Sequence, residues 1–274
     1  VSEADAISPA GTIVLGAEIL VGLAALWLWV LRPKARRSAR VQLTPWNLAP
    51  IDFGCFLGFV IVGAVVPSAL AGWILRSVHA SDDVFLIAGS AVLDLGILLG
   101  LAAFLLTYGP VRSNFSGGVN TKAALVKGGV ATFLIAIPFV EAASLAWRPV
   151  LTALHLPTEE QDSVKVLEGL HSAGLVVSFA LAAIVLAPIA EEHVFRGGLF
   201  RYFRTRGPRW LALLLTSVLF AAVHNSWVSL APLTVLAVVF CLAYERTGSI
   251  WTTIIAHALF NVNTLVLVLM GTGS

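Results

Sequence analysis

The chain has 274 residues, of which 58% are hydrophobic and 12% charged, with a mean hydropathy of +0.93 and a formal net charge of +2. Soluble domains carry about 45–50% apolar and about 25% charged residues, so the composition excludes a soluble globular, disordered or nucleic-acid-binding chain and predicts an integral membrane protein. Eight spans of roughly 20 residues would use about 160 apolar-rich positions, which leaves little for a separate soluble core, so 1–274 reads as one transmembrane domain.

In chain order the apolar runs fall at about 11–31, 51–75, 84–107, 127–147, 173–200, 209–226, 229–244 and 250–270. Each is long enough, or nearly so, to cross about 30 Å of hydrocarbon at about 1.5 Å per residue. Each should be helical, because an unpaired backbone group in lipid costs several kcal/mol. The expected fold is therefore all-α: a polytopic membrane protein of about eight transmembrane helices around an intramembrane polar cavity, with a motif-bearing core at about 173–270. The first run is preceded by Glu3 and Asp5 rather than by basic residues, which argues against a cleavable signal. Trp27, Trp29, Trp46, Trp73, Trp147, Trp210 and Trp251 lie mostly near span ends and read as interfacial anchors. Gly54-x-x-x-Gly58 and Gly96-x-x-x-Gly100 are patterns that let helices approach closely. Cys55 and Cys241 have no disulfide or metal spacing and read as free buried thiols. The longest outer loop, Trp147 to His171, has room for a short surface helix.

Charge sets the orientation. Thirteen of the seventeen Lys and Arg lie in alternate loops: Arg32 to Arg40, Arg112 to Lys127, Arg201 to Arg209, and Arg246. The other loops hold only Arg76, Arg148 and Lys165, with most of the loop acids. The positive-inside rule then places the basic loops in the cytoplasm and both termini outside.

Charges within a bilayer cost about 2.5–3.5 kcal/mol each at its centre, and the fifth run holds three: Glu191, Glu192 and Arg196. Glu192 and Arg196 are spaced i, i+4, on one helix face, so they can pair. Glu191 is turned about 100° away and has no partner in its own turn. Pro188 should kink the helix just before them. If Gly207-Pro208 is the turn between the fifth and sixth helices, Glu191 lies 16 residues before Gly207 and His224 lies 16 residues after Pro208. In an antiparallel hairpin these two share a depth. His257 and Asn261 share a face of the last run at i, i+4, and His257 sits about 12 Å past the turn at Arg246 to Ser249, at the same level. Glu18, Asp94 and Glu141 in other runs read as structural, protonated or hydrogen-bonded within the bundle.

Glu, His, His and Asn in a buried pocket suit hydrolysis by activated water. A carboxylate held away from water and cations can take a proton, and an imidazole N–H and an amide NH2 can meet an oxyanion. Glu191, His224 and His257 would equally form a three-ligand site for a divalent metal such as Zn2+, and the sequence alone leaves metal-free and metal-dependent hydrolysis both open. The zinc-protease signature His-Glu-x-x-His is absent.

Glu191-Glu192-x-x-x-Arg196, within Glu191-Glu192-His193-Val194-Phe195-Arg196-Gly197, together with Phe220-x-x-x-His224 and His257-x-x-x-Asn261, resembles the three motifs of the CAAX prenyl protease and bacteriocin-processing family of intramembrane proteases, in its Ras-converting-enzyme branch. The resemblance covers about 190–261. It implies that Glu191 is the catalytic glutamate and His224 its partner in activating water. It also implies that His257 and Asn261 stabilise the oxyanion, with Glu192 and Arg196 in support. The expected activity is cleavage of membrane-associated, lipidated or prenylated peptides in a bacterial or archaeal cell membrane, from a site open toward the cytoplasm. The competing expectations are a non-catalytic immunity or scaffold protein and, from the intramembrane carboxylates, a proton-relay transporter. A transporter would favour inverted repeats with paired broken helices, and the sequence has none.

Overall fold

The computed structural model describes residues 9–38, 43–109, 121–159 and 172–270, with Leu167, Gly169 and Leu170. The chain is built from helices: α1 (Pro9–Leu26), α2 (Pro33–Ser38), α3 (Pro50–Ser77), α4 (Asp82–Tyr108), α5 (Lys122–Ala153), α6 (Ala173–Arg206), α7 (Arg209–Ala222), α8 (Trp227–Thr247) and α9 (Ile250–Leu269). Among the described residues, seven helices are long and apolar enough to cross a membrane. The eighth expected span is corrected by α7, which has 14 residues and a length of about 21 Å, short of the hydrocarbon thickness. It stops at Ala222, and the turn that follows carries His224 and leads into α8. Asn225 holds positive φ (49°) in that turn, a conformation Asn tolerates better than most side chains. The surface helix expected between Trp147 and His171 falls largely outside the described residues; α5 itself runs on to Ala153.

Small residues set the closest helix contact. A Cβ added at Gly96 would collide with the carbonyl of Gly63, and one added at Gly100 with the carbonyl of Phe59, so α3 and α4 meet backbone to backbone. Gly54 and Gly58 face open space instead and pack nothing. The α4-facing positions of α3 are Phe59 and Gly63 instead.

α6 is helical throughout but is wound as a π-helix over Ala182–Leu186 and again over His193–Phe200. Pro188, which has no N–H, lies directly after the first wide turn, where a break was expected. Pro208 supplies an extended turn before α7, so α6 and α7 form a hairpin. Segment 43–48 closes over the α6 end of this hairpin. Arg201 donates to the Thr44 carbonyl (2.9 Å) and hydroxyl (2.8 Å), Arg206 donates to the carbonyls of Trp46 and Leu48, and the Trp46 N–H reaches the Thr205 hydroxyl at 2.9 Å. Trp46 is consequently buried against Phe53 and Phe56 and is not an interfacial anchor. Trp27, Trp29, Trp73, Trp210 and Trp251 are exposed, as anchors should be. Both cysteines are free; Cys241 is buried and Cys55 is half-buried.

Candidate active site

Three elements meet inside the bundle. Glu191 and Glu192 lie on α6 between its two wide turns, His257 lies two turns into α9, and His224 lies just past the end of α7. Helix termination is what presents His224. The last carbonyls of a helix lack intrahelical partners, and the His224 ring Nδ1 donates to one of them, Phe220 O, at 2.7 Å. That bond turns Nε2 toward Glu191.

Glu191 Oε2 stands 3.9 Å from His224 Nε2 and 3.9 Å from His257 Nε2. It makes no hydrogen bond of its own. His257 Nδ1 donates to Glu192 Oε1 at 3.0 Å, and the same oxygen accepts from Arg196 at 2.7 Å. Glu192 is therefore paired, as its i, i+4 spacing from Arg196 suggested, and Glu191 Oε2 is not. Glu192 and Arg196 are both 0% exposed, whereas Glu191 and His224 keep 21% and 23%. The Arg196 guanidinium lies over the rings of Phe220 (4.5 Å) and Phe240 (5.1 Å), and both rings also contact His257.

These bonds fix proton positions. A carbonyl and a salt-bridged carboxylate only accept, so each Nδ1 carries a hydrogen. If neutral, each imidazole then offers its Nε2 lone pair toward Glu191. In that state three acceptors face one point, an arrangement that can receive a proton donor.

Asn261 lines the same cavity, and its Nδ2 donates to Ala183 O at 2.6 Å. The reason lies in α6. In the wide turn the Ala187 N–H bonds to Ala182 O, so the next wide bond to Ala183 would come from residue 188, a proline with no N–H. Asn261 satisfies the carbonyl that Pro188 leaves over, and one amide N–H remains for other use.

The cavity holds about 550 Å³ and is lined by Glu191, His224, His257 and Asn261, and also by Asp94, Glu141 and Arg148. Asp94 is buried and lines the cavity together with Glu191 and His257. Sequence reasoning treated Asp94 and Glu141 as structural; a lone acid in an apolar run carries no mark of which cavity it faces. Glu18 is not among the lining residues and accepts from Asn263 at 3.4 Å. A further buried acid, Glu245, escaped the sequence reading. It accepts from Arg204 and Arg209, both at 2.7 Å, and pins the α6–α7 turn to the end of α8. Its signal was an acid at a helix C-terminus, where the helix dipole disfavours it, beside a basic turn.

The three-ligand metal site is not formed. Among the described residues, no three His, Cys, Asp or Glu side chains are placed to hold a metal ion. Ligands at about 2.0–2.1 Å from one tetrahedral zinc stand about 3.3 Å apart, closer than the two 3.9 Å separations at Glu191.

The cavity extends to one side of Glu191. The lining extends from the catalytic level toward the ends of α5 and α9 at Ala153 and Leu269, away from the basic turns at Arg201–Arg209 and Arg246.

Fold and site together define a polytopic, all-helical membrane protein with a carboxylate and two imidazoles converging inside the bundle. Residues 173–263, which contain every motif residue, match the family model described as type II CAAX prenyl endopeptidase Rce1-like. An Escherichia coli protein described as an uncharacterized 24.3 kDa protein is 33% identical over 87 residues, covering 30% of this chain and 40% of the relative. The Bacillus subtilis (strain 168) protein named "Putative membrane peptidase YdiL" is 28% identical over 103 residues, covering 38% of this chain and 41% of the relative. The chain thus spans about two fifths of the length of each of these relatives. No solved structure matches.

Proposed function

We propose that the protein is an intramembrane endopeptidase that hydrolyses peptide bonds of membrane-associated substrates without a metal. The observation that carries this reading is the convergence of His224 Nε2 and His257 Nε2 on Glu191 Oε2, with both Nδ1 atoms already committed elsewhere. The match of residues 173–263 to the Rce1-like type II CAAX prenyl endopeptidase model supports it, as does the similarity to the relative named "Putative membrane peptidase YdiL".

Glu191, with His224 beside it, takes one proton from water. The hydroxide attacks the scissile carbonyl carbon, and the negative charge moves to the carbonyl oxygen. The free N–H of Asn261 and His257 Nε2–H meet that oxygen. To donate from Nε2 while Nδ1 bonds Glu192, His257 must be an imidazolium. The cluster has the charge for it, since two carboxylates against one guanidinium leave one negative charge over. The proton held at Glu191 then passes to the departing amine nitrogen, giving a new carboxylate and a new amine. Removing one oxyanion donor costs typically about 10²–10³ in rate, so His257 and Asn261 are each consequential.

The partners are membrane lipid and a membrane-associated or lipidated peptide. Prenylated C-terminal peptides are the first to try, because prenyl processing is what the family is named for. The test is cleavage of prenylated and unprenylated peptides by purified protein, with Glu191→Ala and His224→Ala as controls and a chelator arm. Cleavage lost in both variants and kept in chelator supports the reading. Cleavage kept in Glu191→Ala refutes the catalytic assignment, cleavage lost to chelator refutes the metal-free step, and a folded protein that cleaves nothing favours the immunity or scaffold alternative.

A further inference from the structure

The cavity belongs to one half of the bundle. Ser90 lies in the third turn of α4 from Asp82, and Ser144 and Arg148 lie in the last turns of α5. Phe179 lies in the second turn of α6, Ser229 in the first turn of α8, and Val268 in the last turn of α9. All six sit at helix ends remote from the basic turns. On the far side of the catalytic level the bundle is shut. Glu192 and Arg196 are fully buried there, Phe56, Phe104, Phe195 and Tyr202 pack into one core with Trp46, and segment 43–48 is strapped across by Arg201 and Arg206.

The shut half carries the positive charge. Thirteen of the seventeen basic residues lie in the loops on that side, and such loops stay in the cytoplasm. We infer that the cavity is loaded from the non-cytoplasmic side of the membrane, so that its substrates, on the peptidase reading above, are peptide segments exposed on or anchored in the outer leaflet: exported polypeptides rather than cytoplasmic ones. The walls are mostly aliphatic and aromatic, which suits a largely apolar segment, with the acids Asp94 and Glu141, and with serines and a single Lys or Arg, Arg148, toward the rim.

The test is thiol labelling of intact cells with a membrane-impermeant maleimide. Ser90→Cys and Ser144→Cys report the cavity, Ser77→Cys the end of α3 on the same side, and Lys34→Cys the basic side. Wild type gives the background from Cys55 and Cys241. The expected result is a labelled band for Ser90→Cys and Ser144→Cys from outside, comparable to Ser77→Cys, and for Lys34→Cys only after permeabilisation. Labelling of the cavity cysteines only after permeabilisation overturns the inference. So does labelling of Lys34→Cys from outside. Cavity cysteines that react only after denaturation overturn it too, since no water-filled route then exists. Labelling requires no catalysis, so an inactive but correctly labelled protein sinks the peptidase reading alone.

Discussion

Glu192 supports a guanidinium and an imidazole with one oxygen, and its removal separates stability from catalysis. Oε1 accepts from Arg196 at 2.7 Å and from His257 at 3.0 Å, at a site with no solvent exposure for Glu192 or Arg196. Breaking a buried pair from one side costs about 3–5 kcal/mol, so Glu192→Ala should lose that much. Arg196→Met should lose less, because a stranded carboxyl can take up a proton whereas a guanidinium cannot shed one. Replacing both members by apolar residues is often neutral or better, so Glu192→Leu with Arg196→Met should recover to within about 2 kcal/mol of wild type. Activity should not recover with it, because His257 Nδ1 would still lack its carboxylate. Thermal inactivation half-lives in detergent, read by the fluorescence of the eight tryptophans, measure the first effect; half-life is the suitable quantity where unfolding is irreversible. Peptide cleavage measures the second. Glu192→Ala with the half-life of wild type, or a double variant that regains both stability and activity, would refute this reasoning.

Other substitutions probe single contacts. Glu191→Gln should lower cleavage by about 10²–10⁴ while leaving the half-life near wild type, since its Oε2 makes no hydrogen bond to lose. Asn261→Ala should be destabilising by about 1–3 kcal/mol, the cost of a stranded buried carbonyl at Ala183, in addition to slowing cleavage; Asn261→Leu with Pro188→Ala, which returns an N–H to α6, should restore the half-life alone. Gly96→Leu should disrupt the α3–α4 contact, since even a Cβ there meets the Gly63 carbonyl, and it should show as loss of the folded peak in size exclusion. Glu245→Ala should cost about 1–2 kcal/mol, at the low end for a buried acid because Arg204 and Arg209 remain partly in water, with cleavage of the surviving protein unchanged.

Much of the site was legible because membrane helices keep count. A helix that starts at an identifiable turn advances about 1.5 Å per residue, so equal distances from Gly207-Pro208 and from Arg246 to Ser249 put Glu191, His224 and His257 at one level, and the structure brings them within 3.9 Å. The i, i+4 spacing likewise anticipated the Glu192–Arg196 pair. Counting along one helix says nothing about which side of a level is packed. The direction of the cavity depends on how Phe56, Phe104 and Trp46, from distant parts of the chain, meet α6. Asp94 and Glu141 were invisible as cavity residues for the same reason. The eighth span was overcounted because hydropathy runs straight through 209–226, while the backbone turns after Ala222. Asn261 shows the opposite limit: its spacing from His257 marked it, but its bond to Ala183 depends on a carbonyl freed by Pro188 on another helix.

The most direct test of the central claim is hydrolysis in H₂¹⁸O by purified protein in liposomes, using an outer-leaflet-anchored peptide and mass spectrometry of the products. The account predicts two fragments, with one ¹⁸O in the new carboxylate, from wild type and not from Glu191→Gln. Undiminished cleavage by Glu191→Gln, or no cleavage of any anchored or prenylated peptide by folded wild-type protein, would contradict it.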